Sequence, residues 1–147
     1  MTIRLPDLAA MEEYGVRIAA QLRAGDVVAL SGSVGAGKTT LARAIISALG
    51  YSAEVPSPTF TIIETYDPPA VRLPLVHADF YRLERAGEID EIGLDDYRTG
   101  AALLAEWPEN AGGFESEPGC LAISLEVAEE GRIAIARGGT DWLGRMP

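Results

Sequence analysis

The segment of residues 32–39 carries the residue types best suited to chemistry. It reads G-S-V-G-A-G-K-T, which matches the pattern G-x-x-x-x-G-K-[ST] of loops that bind nucleoside triphosphates. Its glycines let the backbone turn N–H groups inward around phosphates, in conformations that side chains would obstruct. Lys38 would place its ammonium group against the β- and γ-phosphates, and the Thr39 hydroxyl would ligate Mg²⁺, which prefers oxygen. The sequence therefore predicts an Mg-ATP site in this segment, called the glycine loop below.

Two carboxylates follow apolar runs that read as strands. Asp79 stands at the end of the run 71–80, and Glu106 follows Leu-Leu-Ala at 103–105. Ligands of open α/β sheets bind beyond the carboxyl ends of the strands, where both side chains would lie. Asp79 is therefore the candidate for holding the magnesium shell, with a solvated strand-end aspartate as the alternative. Glu106 is a candidate either for orienting the attacking water or for joining the metal shell.

Other polar and aromatic residues near these positions have less specific patterns. His77, the only histidine, would share a strand face with Asp79, and we interpret it as structural rather than catalytic. The segment 57–59 is either a loop that senses the γ-phosphate through the Thr59 hydroxyl or an ordinary proline turn. Trp107 and Trp142 are interpreted as packing residues.

The elements that must position these side chains alternate between helix and strand. The glycine loop follows a buried apolar run and precedes an amphipathic one, which is the strand–loop–helix order that phosphate binding requires. Asp7 is a candidate N-cap for the first helix. The predicted helices span 8–22, 39–49 and 88–97, and the predicted strands span 27–31, 59–66, 71–80, 101–107, 121–127 and 132–137. This pattern predicts a single α/β P-loop domain over 1–147, with a mixed sheet flanked by helices and a C-terminal β-hairpin.

The composition restricts the class of protein. Its 147 residues fit one domain, and a net charge of −10 does not favour direct binding of a nucleic-acid backbone. Eleven of the twelve basic residues are arginine, so Lys38 is the sole lysine. No apolar run approaches the length of a membrane span, and the N-terminus does not resemble a signal peptide. With a single cysteine, Cys120, the chain is expected in the reducing cytoplasm.

Taken together, these motifs resemble the TsaE family, the bacterial ATPases of tRNA threonylcarbamoyladenosine biosynthesis. The shared segments are the glycine loop followed by Thr40, S-P-T-F at 57–60, H-A-D-F-Y-R at 77–82, I-G-L-D-D-Y at 92–97 and E-W-P at 106–108. They occur in the family's order and spacing, and the similarity covers roughly residues 5–137. Ser33 stands where the family commonly has aspartate, which bears on partner contacts or loop stability more than on nucleotide binding.

The resemblance implies a slow ATPase that needs ATP and Mg²⁺ and associates with the TsaB–TsaD complex. That complex transfers a threonylcarbamoyl group to the adenosine next to the tRNA anticodon. The ATPase would reset the transferase and meet tRNA only through its partner. By matching positions, the magnesium ligands are Thr39 and Glu106, with Asp79 as the Walker-B-like acid beside them. The implied catalytic residues are Lys38, Asp79 and Glu106, and the implied nucleotide-binding residues are Gly35, Ala36, Gly37, Lys38, Thr39, Thr40 and Arg132.

Three other functions remain open on the sequence alone. A small-molecule P-loop kinase would need an arginine-rich lid, whereas the arginines here are scattered. A GTPase normally reads guanine through N-K-x-D, and this chain has one asparagine, Asn110, with its lysine already assigned. A nucleotide-dependent binding module would bind ATP tightly without useful hydrolysis.

Overall fold

A seven-stranded mixed sheet organises the part of the chain that the structure, a computed structural model, describes: residues 1–55, 63–85 and 87–147. The strands are β1 Thr2–Leu5, β2 Val27–Ser31, β3 Ile63–Tyr66, β4 Leu75–Asp79, β5 Ala102–Glu106, β6 Cys120–Val127 and β7 Arg132–Gly138. Their order is β1-β7-β6-β2-β5-β4-β3. The central strands β6, β2, β5 and β4 are parallel, and β1, β7 and β3 add antiparallel edges. Parallel neighbours bring the ends of β2, β4 and β5 to one edge of the sheet.

Two long helices lie against one face of this sheet. They are α1 Leu8–Gln21 and α2 Lys38–Ala48, and the shorter α3 Glu88–Ile92 and α4 Leu94–Arg98 follow later in the chain. The Asp7 carboxylate accepts a hydrogen bond of 2.8 Å from the Ala10 amide, so the predicted N-cap is confirmed. The two helices cross closely at Gly15, where an added Cβ would lie 2.6 Å from Ala44 Cβ.

The core has one hydrophobic cluster on each side of the sheet. Between the sheet and α1/α2, Ile18 and Ile45 pack with Leu30 and Leu104. On the opposite side, the cluster contains residues of the central strands with Leu83, Leu94, Ala111 and Phe114. Because both faces of the central strands are covered, these strands are almost continuously apolar, as parallel strands in α/β proteins are.

A buried ion pair joins Arg145, near the C-terminus, to Asp26, which precedes β2. Arg145 Nη2 lies 2.6 Å from Asp26 Oδ1 and Nη1 lies 2.8 Å from Asp26 Oδ2. The Arg145 guanidinium also lies over the ring of Trp142, which is fully buried and donates to the Gly119 carbonyl. The prediction that Trp142 is a packing residue is confirmed.

Most elements match the sequence prediction, and the differences have local causes. The predicted helix 88–97 is two short helices, because Gly93 adopts a left-handed conformation (φ 78°) that ends α3. The predicted strand 71–80 begins only at Leu75, since the Arg72 amide is bonded to the Leu49 carbonyl at the end of α2. Strand β1 was not predicted. Of the predicted strand 59–66, residues 59–62 lie outside the described ranges and the remainder forms β3.

The closing antiparallel pair β6–β7 confirms the predicted C-terminal hairpin. In the described ranges, no helix has the length and apolarity needed to cross a membrane.

Candidate functional site

The glycine loop connects β2 directly to α2. Its turn requires left-handed glycines: Gly32 has φ 139°, and Gly37, the residue before the first turn of α2, has φ 106°. An added Cβ at Gly32 would lie 2.5 Å from the Leu125 carbonyl oxygen, so a side chain there meets backbone. The loop thereby ends at a helix N-terminus, whose free N–H groups and partial positive charge favour anions.

A cavity of about 360 Å³ lies beside this loop. It brings together residues from the loop, from α2, from the ends of β4 and β5 and from the start of β7. The lining residues are Val34, Gly35, Gly37, Lys38, Thr39, Thr40, Asp79, Tyr81, Glu106, Trp107 and Arg132. Every residue assigned to the site from the sequence lines the cavity except Ala36, which is fully buried in the loop.

Lys38 is folded back onto its own loop. Its ammonium donates to the carbonyls of Gly32 at 2.7 Å and Ser33 at 2.8 Å, and lies 4.3 Å from the centre of the Trp107 ring. Burial lowers the pKa of Lys38, while nearby carboxylates, Glu106 first among them, act in the opposite direction. An incoming phosphate would replace neutral carbonyl acceptors with charged ones, which form stronger hydrogen bonds to an ammonium group.

Glu106 links three elements from a fully buried position. Its Oε1 accepts a hydrogen bond of 2.7 Å from the Thr39 hydroxyl, and its Oε2 lies 2.7 Å from His77 Nε2. Burial alone would raise the pKa of Glu106, but the hydrogen bonds from His77 and Thr39 and the Lys38 charge hold it below its usual value. The side chain is therefore an ionised carboxylate within the protein.

Asp79 lies directly across from Glu106 in the β4–β5 register. Its Oδ1 accepts a hydrogen bond of 2.9 Å from the Tyr81 amide. Burial raises the pKa of Asp79, and the negative charge of Glu106 adds to this, although the Tyr81 hydrogen bond opposes it. The two strand-end carboxylates predicted from the sequence are thus neighbours on one side of the cavity.

Arg132 joins the C-terminal strand pair to the glycine loop. Its Nε donates to the Ala36 carbonyl and its Nη2 to the Gly35 carbonyl, both at 3.1 Å. A third nitrogen, Nη1, donates to the Gly131 carbonyl. Arg132 lies 95 residues after Gly37 in the sequence, but the structure places it at the cavity, as its assignment to the site required.

The oxygen donors beside the loop suit magnesium. The Thr39 hydroxyl and the carboxylates of Glu106 and Asp79 are hard donors. Among the described residues, no three His, Cys, Asp or Glu side chains converge into a separate metal cage. Mg²⁺ is commonly held through one or two carboxylates together with substrate phosphates, so the donor set fits a metal bound jointly with a nucleotide.

Sequence reasoning missed two features of the site. Trp107 lies on the cavity with a positive φ of 56°, and its ring centre lies 4.9 Å from that of Tyr81. His77 contacts Glu106 directly, and its position two residues before Asp79 was the signal that it faces the same side. The segment 57–59, with Thr59, lies outside the described residues.

Comparison with known proteins identifies the family of this chain. The family described as threonylcarbamoyl adenosine biosynthesis protein TsaE matches residues 5–134. The Streptomyces coelicolor tRNA threonylcarbamoyladenosine biosynthesis protein TsaE is 44% identical over 100 residues, covering 67% of this chain and 68% of the relative. The Haemophilus influenzae protein of that name is 32% identical over 138 residues, covering 90% and 85%.

The fold is also similar to a solved structure. The crystal structure of Bacillus subtilis YdiB matches with a TM-score of 0.73 and 29% sequence identity, covering 97% of this chain and 88% of that chain. The family match spans most of the chain, from the end of β1 into β7, and includes every residue assigned to the site. The chain therefore belongs to the TsaE family of threonylcarbamoyl adenosine biosynthesis proteins.

Proposed function

We propose that this protein is a single-domain P-loop ATPase that binds Mg-ATP beside the glycine loop and hydrolyses it slowly. It acts with the TsaB–TsaD complex in forming the threonylcarbamoyl modification on the tRNA adenosine next to the anticodon. Family membership and the names of its relatives support the pathway. The observation that carries the ATPase assignment is the Thr39–Glu106 hydrogen bond, which places a hydroxyl and a carboxylate together at the start of α2.

The shape of the site supports a whole nucleotide. The triphosphate would lie against the glycine loop and the N-terminus of α2, with Lys38 turning from its loop carbonyls to the phosphates. A second cavity of about 200 Å³ shares Gly37, Thr40 and Arg132 with the first. It is also lined by the apolar side chains of Leu5, Leu8 and Met11, which suit the base of a nucleotide.

The residues around the phosphates have separate tasks. Lys38 supplies the positive charge, and the Thr39 hydroxyl with the Glu106 carboxylate holds the magnesium side of the site. Asp79 adds a second carboxylate next to Glu106. Bound with the nucleotide, Mg²⁺ would neutralise charge that develops on the phosphoryl oxygens.

The small number of cationic side chains at the cavity supports slow turnover without a partner. Among its described lining residues only Lys38 and Arg132 are cationic, and the Arg132 guanidinium already donates to two glycine-loop carbonyls and to the Gly131 carbonyl. A missing cationic or positioning group costs about 10³–10⁵ in phosphoryl-transfer rate in arginine-finger enzymes. The partner complex would supply such a group or reposition one. The net charge of −10 also fits a protein that leaves tRNA binding to its partner.

The function is tested by measuring ATP hydrolysis by the purified protein alone and with TsaB–TsaD. We expect little turnover alone and a clear stimulation by the complex, and calorimetry should show that ATP binds more tightly with Mg²⁺ than with EDTA. Competition with GTP and a screen of small phosphate acceptors distinguish the GTPase and kinase alternatives. The absence of ATP binding would overturn the ATPase assignment, and binding without stimulation would overturn the partner role.

A further inference from the structure

His77 is a buried polar residue that the proposed function does not use. Its side chain is fully shielded from solvent, and its Nε2 lies 2.7 Å from Glu106 Oε2. Its other ring nitrogen, Nδ1, is buried without a hydrogen-bond partner among the described residues. Because an ionised carboxylate only accepts hydrogen bonds, Nε2 carries the hydrogen that is donated to Glu106. Among the described residues, the side-chain hydrogen bond of this histidine is thus directed at the site.

The contact divides the two oxygens of Glu106 between two partners. Oε2 is taken by His77, and Oε1 faces the Thr39 hydroxyl at 2.7 Å. A glutamate side chain with one oxygen held cannot rotate freely about its terminal bonds. The carboxylate therefore presents one defined oxygen to the start of α2, where the glycine loop ends.

The sheet register explains why a histidine at this position reaches Glu106. His77 pairs with Leu104 across β4 and β5, and Asp79 pairs with Glu106 two residues on. Residues two apart on a strand share a face, so His77, Asp79, Leu104 and Glu106 all lie on one side of the sheet. Leu104 belongs to the cluster that packs with α2, so this is the side on which Thr39 lies.

We propose that His77 is a positioning residue for magnesium-dependent nucleotide binding, which it supports by holding Glu106 with Oε1 directed toward Thr39. This inference rests on the proposed Mg-ATP site. Outer partners that orient a metal-ligating side chain typically contribute about 10- to 100-fold to metal affinity. A histidine that only satisfies a buried carboxylate would support the fold without a specific effect on magnesium.

The test uses amide side chains that differ in reach. In His77→Gln the amide nitrogen can take the place of Nε2, whereas in His77→Asn it corresponds to Nδ1 and does not reach Glu106. Nucleotide affinity is measured by calorimetry over a magnesium titration and in EDTA, and folding is checked by thermal unfolding. We expect His77→Asn to raise the magnesium concentration for half-maximal ATP binding about 10- to 100-fold. Affinity in EDTA should be unchanged, and His77→Gln should stay close to the wild type.

A variant without any hydrogen-bond donor keeps the test decisive. His77→Met retains an apolar volume in the core and replaces the asparagine variant if that variant does not fold. In a Glu106→Gln background, His77→Met should not raise the magnesium concentration for half-maximal ATP binding any further, since His77 acts through Glu106. Tyr14→Phe, which removes a buried hydroxyl on α1, is the control for a remote buried change.

Three results would overturn the proposal. The first is a wild-type magnesium requirement in the asparagine or methionine variant. The second is an equal rise of the magnesium requirement in His77→Gln and His77→Asn. The third is a loss of ATP affinity in the asparagine or methionine variant that is equal with and without magnesium. The wild-type protein separates this failure from that of the proposed function. If it binds no Mg-ATP, the function fails, whereas if it binds and the His77 variants match it, only the role of His77 fails.

Discussion

The Thr39 hydroxyl donates a 2.7 Å hydrogen bond to Glu106 Oε1, across 67 residues of sequence. Thr39 lies in the first turn of α2, and Glu106 ends β5, the parallel neighbour of β2. The contact exists because a strand, loop and helix place Thr39 above the edge at which β5 also ends. The sheet topology therefore brings together two residues that lie far apart in the sequence.

Removing the Thr39 hydroxyl should weaken magnesium-dependent nucleotide binding. In Thr39→Val the side chain keeps its shape but loses the hydroxyl that donates to Glu106 and that we propose ligates Mg²⁺, so we expect ATP affinity in Mg²⁺ to fall about 10-fold or more. Affinity in EDTA should change little, because the loop amides and Lys38 are intact. Calorimetry under both conditions checks this.

Thr39→Ser is the matched control, since it retains the hydroxyl and should bind Mg-ATP nearly as the wild type does. If the serine and valine variants are equally impaired, the hydroxyl is not the group that matters. The interpretation of Thr39 as a magnesium ligand would then be wrong.

The glycine loop, the elements β2 and α2 and the β6–β7 hairpin could be predicted because each has a local signal. The edge strand β1 could not, since Thr2–Leu5 has only four residues and pairs with β7, about 130 residues away. The His77–Glu106 contact depends on the register of β4 against β5, which the pattern of either strand alone does not contain. The proximity of Asp79 and Glu106 was predictable because both lie at the ends of apolar strands, but the roles of these residues stay predictions.

Gly32→Ala should destabilise the fold and distort the site together. The residue has φ 139°, and an added Cβ would lie 2.5 Å from the Leu125 carbonyl oxygen, so the backbone must move. We expect a loss of about 1–3 kcal/mol in the free energy of unfolding from strained backbone. Denaturant unfolding measures this loss, and weaker ATP binding should accompany it.

Gly87→Ala provides the comparison. This glycine has φ −63° and open space around the position of an added Cβ, so its substitution should change stability by less than about 0.5 kcal/mol. Equal destabilisation by the two variants would contradict the steric explanation for Gly32.

Breaking the Asp26–Arg145 pair from one side should be costly. Both side chains are buried, and Arg145→Met would leave the Asp26 carboxylate without its charged partner. Such changes typically cost about 3–5 kcal/mol. Urea unfolding should show this loss, and the double variant Asp26→Asn with Arg145→Met should recover part of it because no buried charge is left.

Arg85→Met is the exposed counterpart, since the Arg85 side chain is 71% exposed and lies 3.7–4.0 Å from Glu88 and Glu91. Exposed ion pairs contribute about 0–1 kcal/mol, so this variant should be nearly neutral. A comparable loss in both arginine variants would mean that burial does not determine the effect.

The thiol of Cys120 should be unreactive while the protein is folded. The residue is 2% exposed at the start of β6, and burial raises its pKa to about 12, with the charges of Glu117 and Glu115 adding to the effect. Because the thiolate is the nucleophile, a thiol reagent at pH 8 should label the folded protein far more slowly than the unfolded chain. The raised pKa also makes stability depend on pH. In the unfolded chain the thiol ionises near its ordinary pKa of 9.0, so the contribution of Cys120 to stability is present below that pH and is lost as the pH rises toward 12. Labelling followed by mass spectrometry, with and without denaturant, measures the reactivity, and Cys120→Ala should remove both the label and this part of the alkaline loss of stability. Rapid labelling of the folded wild type would show that the strand opens locally or that the thiol is not buried as the structure places it.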